Sequence, residues 1–390
     1  MSPTLRALLS CTIAAAAITT RVSAQERSEL ALPPNGDNQK AEVSQWIGLV
    51  KTTITYHSPN VHGGGGKDRT GHIYGELIKY GFFDDGFGPS TATPWRAGAN
   101  ETTTISFSHD LKIEGKDIKA GTYALFLELE KTGHWQWIFS KNYWGWGSFQ
   151  YDSTNDVLRV PVDAQSAPYT EFLTYGFDER RPNSAVAFLQ WENKRIAFKI
   201  DVPNVNDLYV AQMRKDLQSW PGFNYANWQL AAQFCLANNI NLEEALVWAE
   251  KAISQPFRNA TQGVANFSTL QTKAQILQAL NRNAEADSTM DRAMNIEGTP
   301  VLPMHQYGIT LLNAGRKERA LEIFKLNRKH HPDDEFFTFV GLARGYTAVG
   351  DKKNAIKSWE TALLHVPQVQ KRFLPQYEAA LKALKDDKTP

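Results

Sequence analysis

Apolar and polar residues alternate along the chain from about residue 42 to residue 203, as they do in half-buried β-strands. Glycine-containing turns such as Glu114-Gly115-Lys116 and Lys131-Thr132-Gly133 separate the alternating segments. The segments are short, regularly spaced and free of interleaved helical patterns. We therefore predict an antiparallel β-sandwich or barrel, and prefer the sandwich. The predicted strands span residues 105–107, 124–129, 135–139, 157–162, 185–191 and 195–202.

The period becomes helical near residue 222, and an internal repeat follows. Four amphipathic windows, separated by steps of 41, 34 and 35 residues, align on Ala245, Ala286, Ala320 and Ala355. A small residue lies twelve positions before each of the last three alanines and would let paired helices approach closely; these residues are Ala274, Gly308 and Ala343. In the first window the corresponding residue is Gln233, so the pattern fails there. The pattern resembles tetratricopeptide repeats, whose period is about 34 residues. We predict a tetratricopeptide-like α-α superhelix over residues 222–388, with a capping helix within residues 372–384.

The first 24 residues have the features of a secretory signal peptide. Arg6 precedes the apolar run 7–18, and Val22-Ser23-Ala24 forms a small-residue cleavage site. A lipoprotein signal ending at Cys11 is disfavoured because the apolar run before it is short. We expect a periplasmic or secreted protein that does not span a membrane, with linkers at residues 25–41 and 204–221.

Composition and charge narrow the class of partner. The chain is 42% apolar and 21% charged, with a net charge of +1, which is typical of a folded soluble protein. This balance argues against nucleic-acid binding, which normally requires a basic patch. Removal of the signal peptide would leave Cys235 without a disulfide partner, so core packing must stabilise the fold.

The β region resembles an exported bacterial family known as domain of unknown function 2911. The resemblance rests on IGLVKTTITYHSPNV (47–61), YGELIKYG (74–81), PWRAGANETTTISFSHDLKIEGKDIKAGTYALF (94–126), WQWIFSKNYWGWGSFQYDSTNDVLRV (135–160) and FLTYGFD (172–178). It covers nearly all of residues 42–202 and implies an exported fold followed by helical repeats, without implying an activity. Segments 63–72 and 82–93 depart from the family pattern as surface insertions.

The stretch HWQWIFSKNYWGWG (134–147) combines two kinds of aromatic position. In a strand, Trp135, Trp137 and Phe139 share one face, where we expect them to form core. Tyr143, Trp144 and Trp146 lie among glycines, where an exposed stacking surface and a packed loop are equally supported.

The segment WRAGANETTT (95–104) is dense in polar groups that could orient a ligand, although a buried turn with an Arg96–Glu101 pair explains it equally well. Together with the aromatic loop it forms our candidate ligand site, for which we expect no cofactor and no metal; its residues are Tyr56, Trp95, Arg96, Asn100, Glu101, Lys141, Trp144 and Arg159. The spacing of His57, His62 and His72 matches no zinc pattern, and Gly63–Gly66 lacks the residues of a phosphate loop.

The leading functional hypothesis is therefore a non-catalytic β domain that binds a small polar ligand or glycan, coupled to helical repeats that bind a protein. A groove for that partner protein would use Gln271, Gln275, His305 and Arg344. The alternative is a periplasmic hydrolase or lyase in which Glu101 or Asp156 acts with Arg96 or Arg159.

Overall fold

The computed structural model describes residues 38–63, 65–254, 256–257, 260–261 and 263–386. The chain divides between Pro203 and Asn204 into two compact units. The predicted signal peptide and most of the first predicted linker lie outside the described residues.

Two antiparallel sheets form most of the first unit. The six-stranded sheet has the order β1-β2-β5-β8-β9-β10, and the four-stranded sheet has the order β11-β12-β6-β7. The strands are β1 (Gln39–Ile47), β2 (Val50–Ser58), β3 (His62–Gly63), β4 (Lys67–Asp68), β5 (Thr104–Phe107), β6 (Leu111–Ile113), β7 (Lys116–Ile118), β8 (Gly121–Glu128), β9 (His134–Ser140), β10 (Asp156–Asp163), β11 (Gln165–Arg181) and β12 (Ser184–Asp201). Strands β3 and β4 pair only with each other.

Aromatic side chains from both sheets meet in the core of this unit. Trp137 and Phe139 of β9 are fully buried, and both make edge contacts with Phe198 of β12. Tyr175 of β11 contacts Tyr56 of β2 with ring centroids 4.8 Å apart. The predicted core face of the stretch 134–140 is therefore confirmed, because alternation places these rings between the sheets.

Strand β12 differs from the sequence expectation, which divided it into two strands. Glu192 is buried and has a φ of 52°, a left-handed conformation that interrupts the side-chain alternation at this point. Its partner β11 was not among the predicted strands, because its apolar residues are interspersed with exposed polar ones at irregular spacing. The pairing of β11 with β12 also shifts register in three places.

The second unit is helical throughout most of its described residues. Its helices are α1 (Val205–Asp216), α2 (Tyr225–Asn238), α3 (Leu242–Ser254), α4 (Phe267–Ala279), α5 (Asn283–Met294), α6 (Val301–Asn313), α7 (Lys317–His330), α8 (Phe337–Ala348), α9 (Lys352–Leu364) and α10 (Leu374–Lys385). Two short strands, β13 (Pro256–Phe257) and β14 (Ala260–Thr261), form a hairpin between α3 and α4.

Consecutive helices pair as α2 with α3, α4 with α5, α6 with α7 and α8 with α9. The four aligned alanines, one in the second helix of each pair, are all fully buried. Helix α7 ends at His330 and α9 ends at Leu364, shortly before Pro332 and Pro367, and proline cannot continue a helix. The helix pairing is therefore as predicted from the repeat. Helix α10 corresponds to the capping helix predicted within residues 372–384, and its last residue, Lys385, lies one position beyond the predicted end.

Helix α1 occupies most of the segment predicted as the linker 204–221, which corrects that prediction. Its buried Val210, together with Leu217, packs in a cluster with Trp228 and Trp248. The helix buries so few apolar residues that its periodicity is weak in the sequence. Likewise β1 begins at Gln39, inside the segment predicted as the linker 25–41. Within the described residues, no helix combines the length and apolar character needed to cross a bilayer.

Candidate functional site

Residues 96–102 form a loop that leaves the six-stranded sheet and returns to it. Trp95 and Thr103, on either side, both bond to β8: the Trp95 amide donates to the Leu127 carbonyl, and the Leu125 amide donates to the Thr103 carbonyl. Between them, Ala97 and Asn100 have φ values of 49° and 55°. Left-handed conformations at residues other than glycine are strained and are concentrated at functional sites, so we call residues 96–102 the strained loop.

Side chains from several elements hold the strained loop in place. The Tyr175 hydroxyl donates to the Ala97 carbonyl at 2.9 Å, and the Trp95 indole donates to the Gly98 carbonyl at 3.1 Å. Arg96 Nη1 donates to the Asn100 carbonyl at 2.7 Å. A Cβ atom at Gly98 would lie 2.6 Å from Thr103 Oγ1. These contacts determine the backbone path so fully that the strained conformations persist.

The strained loop presents Glu101 to His57 of β2. Glu101 Oε2 lies 3.0 Å from His57 Nε2, and the side chain of Glu101 is 45% exposed whereas that of His57 is 9% exposed. Burial holds the pKa of His57 below its usual range, while the Glu101 carboxylate opposes this effect. The Arg96–Glu101 pair of the alternative interpretation does not form, because the Arg96 guanidinium donates to a backbone carbonyl and stacks over Phe149 at 4.9 Å.

Residues 141–149, which we call the aromatic loop, follow β9 and carry the largest exposed rings near this site. Trp144 is 66% exposed, Trp146 is 53% exposed and Tyr143 is 38% exposed. The Tyr143 and Trp144 rings meet edge to face at 4.8 Å. Their exposure decides between the two sequence interpretations of these residues in favour of a surface.

The aromatic loop is fixed to the strained loop. The Thr102 hydroxyl lies 2.7 Å from the Gly145 carbonyl and 2.6 Å from the Gly147 carbonyl, and can donate to either. Gly147 has a φ of 60°, and a Cβ atom there would lie 2.3 Å from the Arg96 guanidinium carbon. The exposed rings and the Glu101 carboxylate are therefore held by one set of contacts.

A small cleft lies between the two loops. Thr102, Asn142, Gly145 and Tyr151 are among its lining residues, and its volume is about 10 Å³, measured as space for the centre of a water molecule. This is about the space that one water requires, so the cleft has no room for a ligand of sugar size. The buried Asn142 Oδ1 accepts no hydrogen bond from the described residues.

Two predicted ligand contacts prove to be core residues. Tyr56 is buried against Tyr175, and Trp95 is buried with its ring stacked on Trp191 at 6.2 Å. Both therefore pack and position the site without offering a ring to a ligand. Lys141, in contrast, is exposed at the start of the aromatic loop, where its amide donates to the Asn155 carbonyl.

Asp156 and Arg159 also come together, as the alternative hypothesis requires. Arg159 Nη2 donates to Asp156 Oδ2 at 2.7 Å, and the Tyr151 hydroxyl donates to the same oxygen at 2.6 Å. The Asp156 side chain is only 8% exposed. The pKa of Tyr151 is raised mainly by burial and also by the hydrogen bond to Asp156. The carboxylate thus stabilises its neighbours, although its buried Oδ1 has no partner among the described residues.

A second titratable cluster was not predicted. Glu171 of β11 accepts from the Tyr169 hydroxyl at 2.5 Å and from the His62 backbone amide at 2.8 Å. These bonds, and that to the His62 ring, lower the pKa of Glu171 to about 2. The cluster forms because His62 and Glu171, which are far apart in the sequence, lie together in the fold. No local sequence motif predicts it. Among the described residues, no three His, Cys, Asp or Glu side chains are grouped so that they could hold a metal ion.

The predicted groove residues lie on the first helices of three pairs. Gln271 and Gln275 belong to α4, His305 to α6 and Arg344 to α8. Gln275 and Arg344 are exposed and Gln271 is half-buried. His305 lies between Phe324 and Phe337, and burial, assisted by the Arg344 charge, lowers its pKa to about 4. His305 is therefore a neutral packing residue at neutral pH.

A comparison with protein-family models bears on the first unit. A search of curated proteins gave no match to the chain. The family model described as "Protein of unknown function (DUF2911)" matches residues 38–200, and no family match accompanies the helical repeats. The resemblance inferred for the β region is thus confirmed, and residues 38–200 are the part of the chain that is similar to this family.

Proposed function

We propose that the first unit is a non-catalytic binding module, an antiparallel β-sandwich that holds a small polar ligand or glycan on its aromatic loop. The observation that carries the proposal is the exposure of Trp144 and Trp146 on a loop held by Thr102. Indole rings offer a flat apolar face to the C–H groups of a sugar, and neighbouring polar groups supply orientation. Because the loop is fixed before binding, little conformational entropy is lost on association.

The test is calorimetric titration of the chain from residue 25 onward with a panel of neutral and acidic oligosaccharides. We expect Trp144→Ala and Trp146→Ala each to weaken binding by about tenfold, because stacked rings contribute about 1 kcal/mol or more. Trp46→Ala is the matched control, since Trp46 is 57% exposed on β1 and outside the loop. Equal effects of all three substitutions would show that the aromatic loop is not the site.

The second unit complements this module in the proposal. We propose a tetratricopeptide-like superhelix that binds a partner protein in a groove containing Gln275 and Arg344, within an exported chain. The support is the buried small residues in four consecutive helix pairs. Fractionation of cells producing the full chain tests export, which requires a shortened product outside the cytoplasm. Recovery of the uncleaved chain in the cytoplasm alone would contradict it.

Acid–base catalysis by Glu101 is the second candidate, and a specific contact favours it. The contact is the 3.0 Å approach of Glu101 to His57, two titratable groups of which one is exposed. Hydrolase and lyase substrates should then be turned over by the wild-type chain and not by Glu101→Gln. Turnover that survives this substitution would exclude Glu101 as the catalytic acid or base.

A further inference from the structure

A cavity in the second unit has a different character from the aromatic loop. It has a volume of about 350 Å³ and lies where α6, α8, α9 and α10 converge. This volume falls within the range of about 300–1,000 Å³ that is typical of small-molecule sites. The volume of this cavity is about 35 times the volume of the cleft between the strained loop and the aromatic loop.

Apolar groups form most of the cavity wall. Leu312 comes from α6, Trp359 from α9, and Tyr377 and Leu384 from α10. The Trp359 and Tyr377 rings lie 5.8 Å apart at an interplanar angle of 30°. The Tyr377 hydroxyl already donates to the Gln370 side chain at 3.0 Å, so this residue offers the cavity its ring rather than a free polar group.

One charged group lines this otherwise neutral cavity. Arg344 of α8 is exposed, and none of the other lining residues is a carboxylate. Within the described part of the chain, Arg344 has no ion pair of the kind that holds Arg319 on α7 and Arg316 just before it. An unpaired guanidinium beside an apolar wall is complementary to an anion that carries an apolar body.

We propose that this cavity binds a small carboxylic acid with an alkyl or aryl body. Arg344 would receive the carboxylate through paired N–H donors, and the half-buried Tyr377 ring, which packs against the buried Trp359, would cover the apolar body. The volume of about 350 Å³ matches a small molecule. This site is separate from the aromatic loop and its ligand, but it shares Arg344 with the groove proposed above for a partner protein, so the experiment also includes a peptide.

The experiment uses isothermal titration calorimetry on the chain from residue 25 onward. The probes are 3-phenylpropionate and its uncharged analogue 3-phenylpropionamide. We expect the acid to bind at least about tenfold more tightly than the amide, because a charge-assisted hydrogen bond is about twice as strong as a neutral one. Arg344→Gln should remove this difference by weakening the acid alone.

Two further variants separate binding from folding. Arg292→Gln, which changes an exposed arginine on α5, should leave both affinities unchanged. Ala380→Phe places a ring on the cavity wall from α10 and should abolish binding of both probes. A thermal melt of each variant shows whether the helical unit remains folded.

Three results would overturn the proposal. One is the absence of binding by the acid to the wild-type chain, and another is equal binding of acid and amide. The third is tighter binding of a tripeptide with a free C-terminal phenylalanine than of the small acid, lost in Arg344→Gln, since the occupant would then be a protein C-terminus.

Discussion

The ring of Phe324, on α7, is enclosed by three glycines and provides a quantitative test of helix packing. Gly308 lies on α6, and Gly341 and Gly345 lie on α8. A Cβ atom at Gly308 would lie 2.3 Å from Phe324 Cε1, and one at Gly341 would lie 2.5 Å from Cδ1. Ordinary carbon contacts begin at about 3.5 Å, so Gly308→Ala creates an overlap of more than an ångström.

Two opposing effects determine the stability of Gly308→Ala. Alanine in a helix interior is favoured over glycine by about 1 kcal/mol, whereas overpacking a core costs about 1–3 kcal/mol. The fully buried Phe324 ring cannot move away, because the backbones of α6 and α8 lie close to it at the three glycines. We therefore place the overpacking cost in the upper part of its range, at about 2–3 kcal/mol, and expect a net loss of about 1–2 kcal/mol in the free energy of unfolding. This corresponds to a fall of about 2–8 °C in the melting temperature of a unit of this size.

The assay is thermal denaturation followed by circular dichroism in the helix band. Phe324→Leu alone should also destabilise, because it leaves a void. The double variant Gly308→Ala with Phe324→Leu should lose less stability than the sum of the single losses, since the smaller side chain makes room for the methyl group. A melting temperature for Gly308→Ala equal to or above that of the wild type would refute the reasoning, because helix propensity would then outweigh the overlap.

Three further predictions concern titratable and polar groups. Glu101→Gln should lower the pKa of His57 further, because the Glu101 carboxylate raises this pKa whereas burial lowers it. An unchanged titration of His57 by NMR would contradict this. Asp156→Asn should cost about 1.5–3 kcal/mol in chemical denaturation, because two charge-assisted bonds from Arg159 and one from the Tyr151 hydroxyl end on its Oδ2. Asp163→Asn, in an exposed pair, should cost under about 1 kcal/mol. Burial raises the pKa of the Cys235 thiol to about 11, so it should react with a thiol reagent only after denaturation, and rapid labelling of the native chain would exclude the buried position.

Periodicity in the sequence predicted much of the architecture because each rule it uses is local. Alternation placed Trp137 and Phe139 on a buried face, and the repeat placed four alanines inside helix pairs. The same rules failed where geometry is not local. Glu192 adopts a left-handed conformation within β12. The alternation pattern is interrupted there, so the sequence predicted two strands where the structure has one. Helix α1 buries too few residues to show a periodic pattern.

The candidate site was predicted in part, for related reasons. Trp95 and Trp144 both lie in polar, glycine-containing stretches, and composition cannot distinguish them. Trp95 forms a bridge to Leu127 of β8 and is drawn into the core, whereas Trp144 makes no such pairing and stays exposed. The contact of Glu101 with His57 depends on how β2 and β5 are paired in the sheet, which no local pattern reports.

The contacts that hold the aromatic loop have an evolutionary consequence. Thr102 bonds to backbone carbonyls, and Arg96 packs against a residue without a side chain, so neither contact depends on the identity of residues 143, 144 or 146. The tip can therefore exchange its rings for other side chains while the supporting framework stays intact. Substitutions at these three positions can change the chemistry of this surface while the fold is retained, and laboratory libraries confined to them should keep a high fraction of folded members.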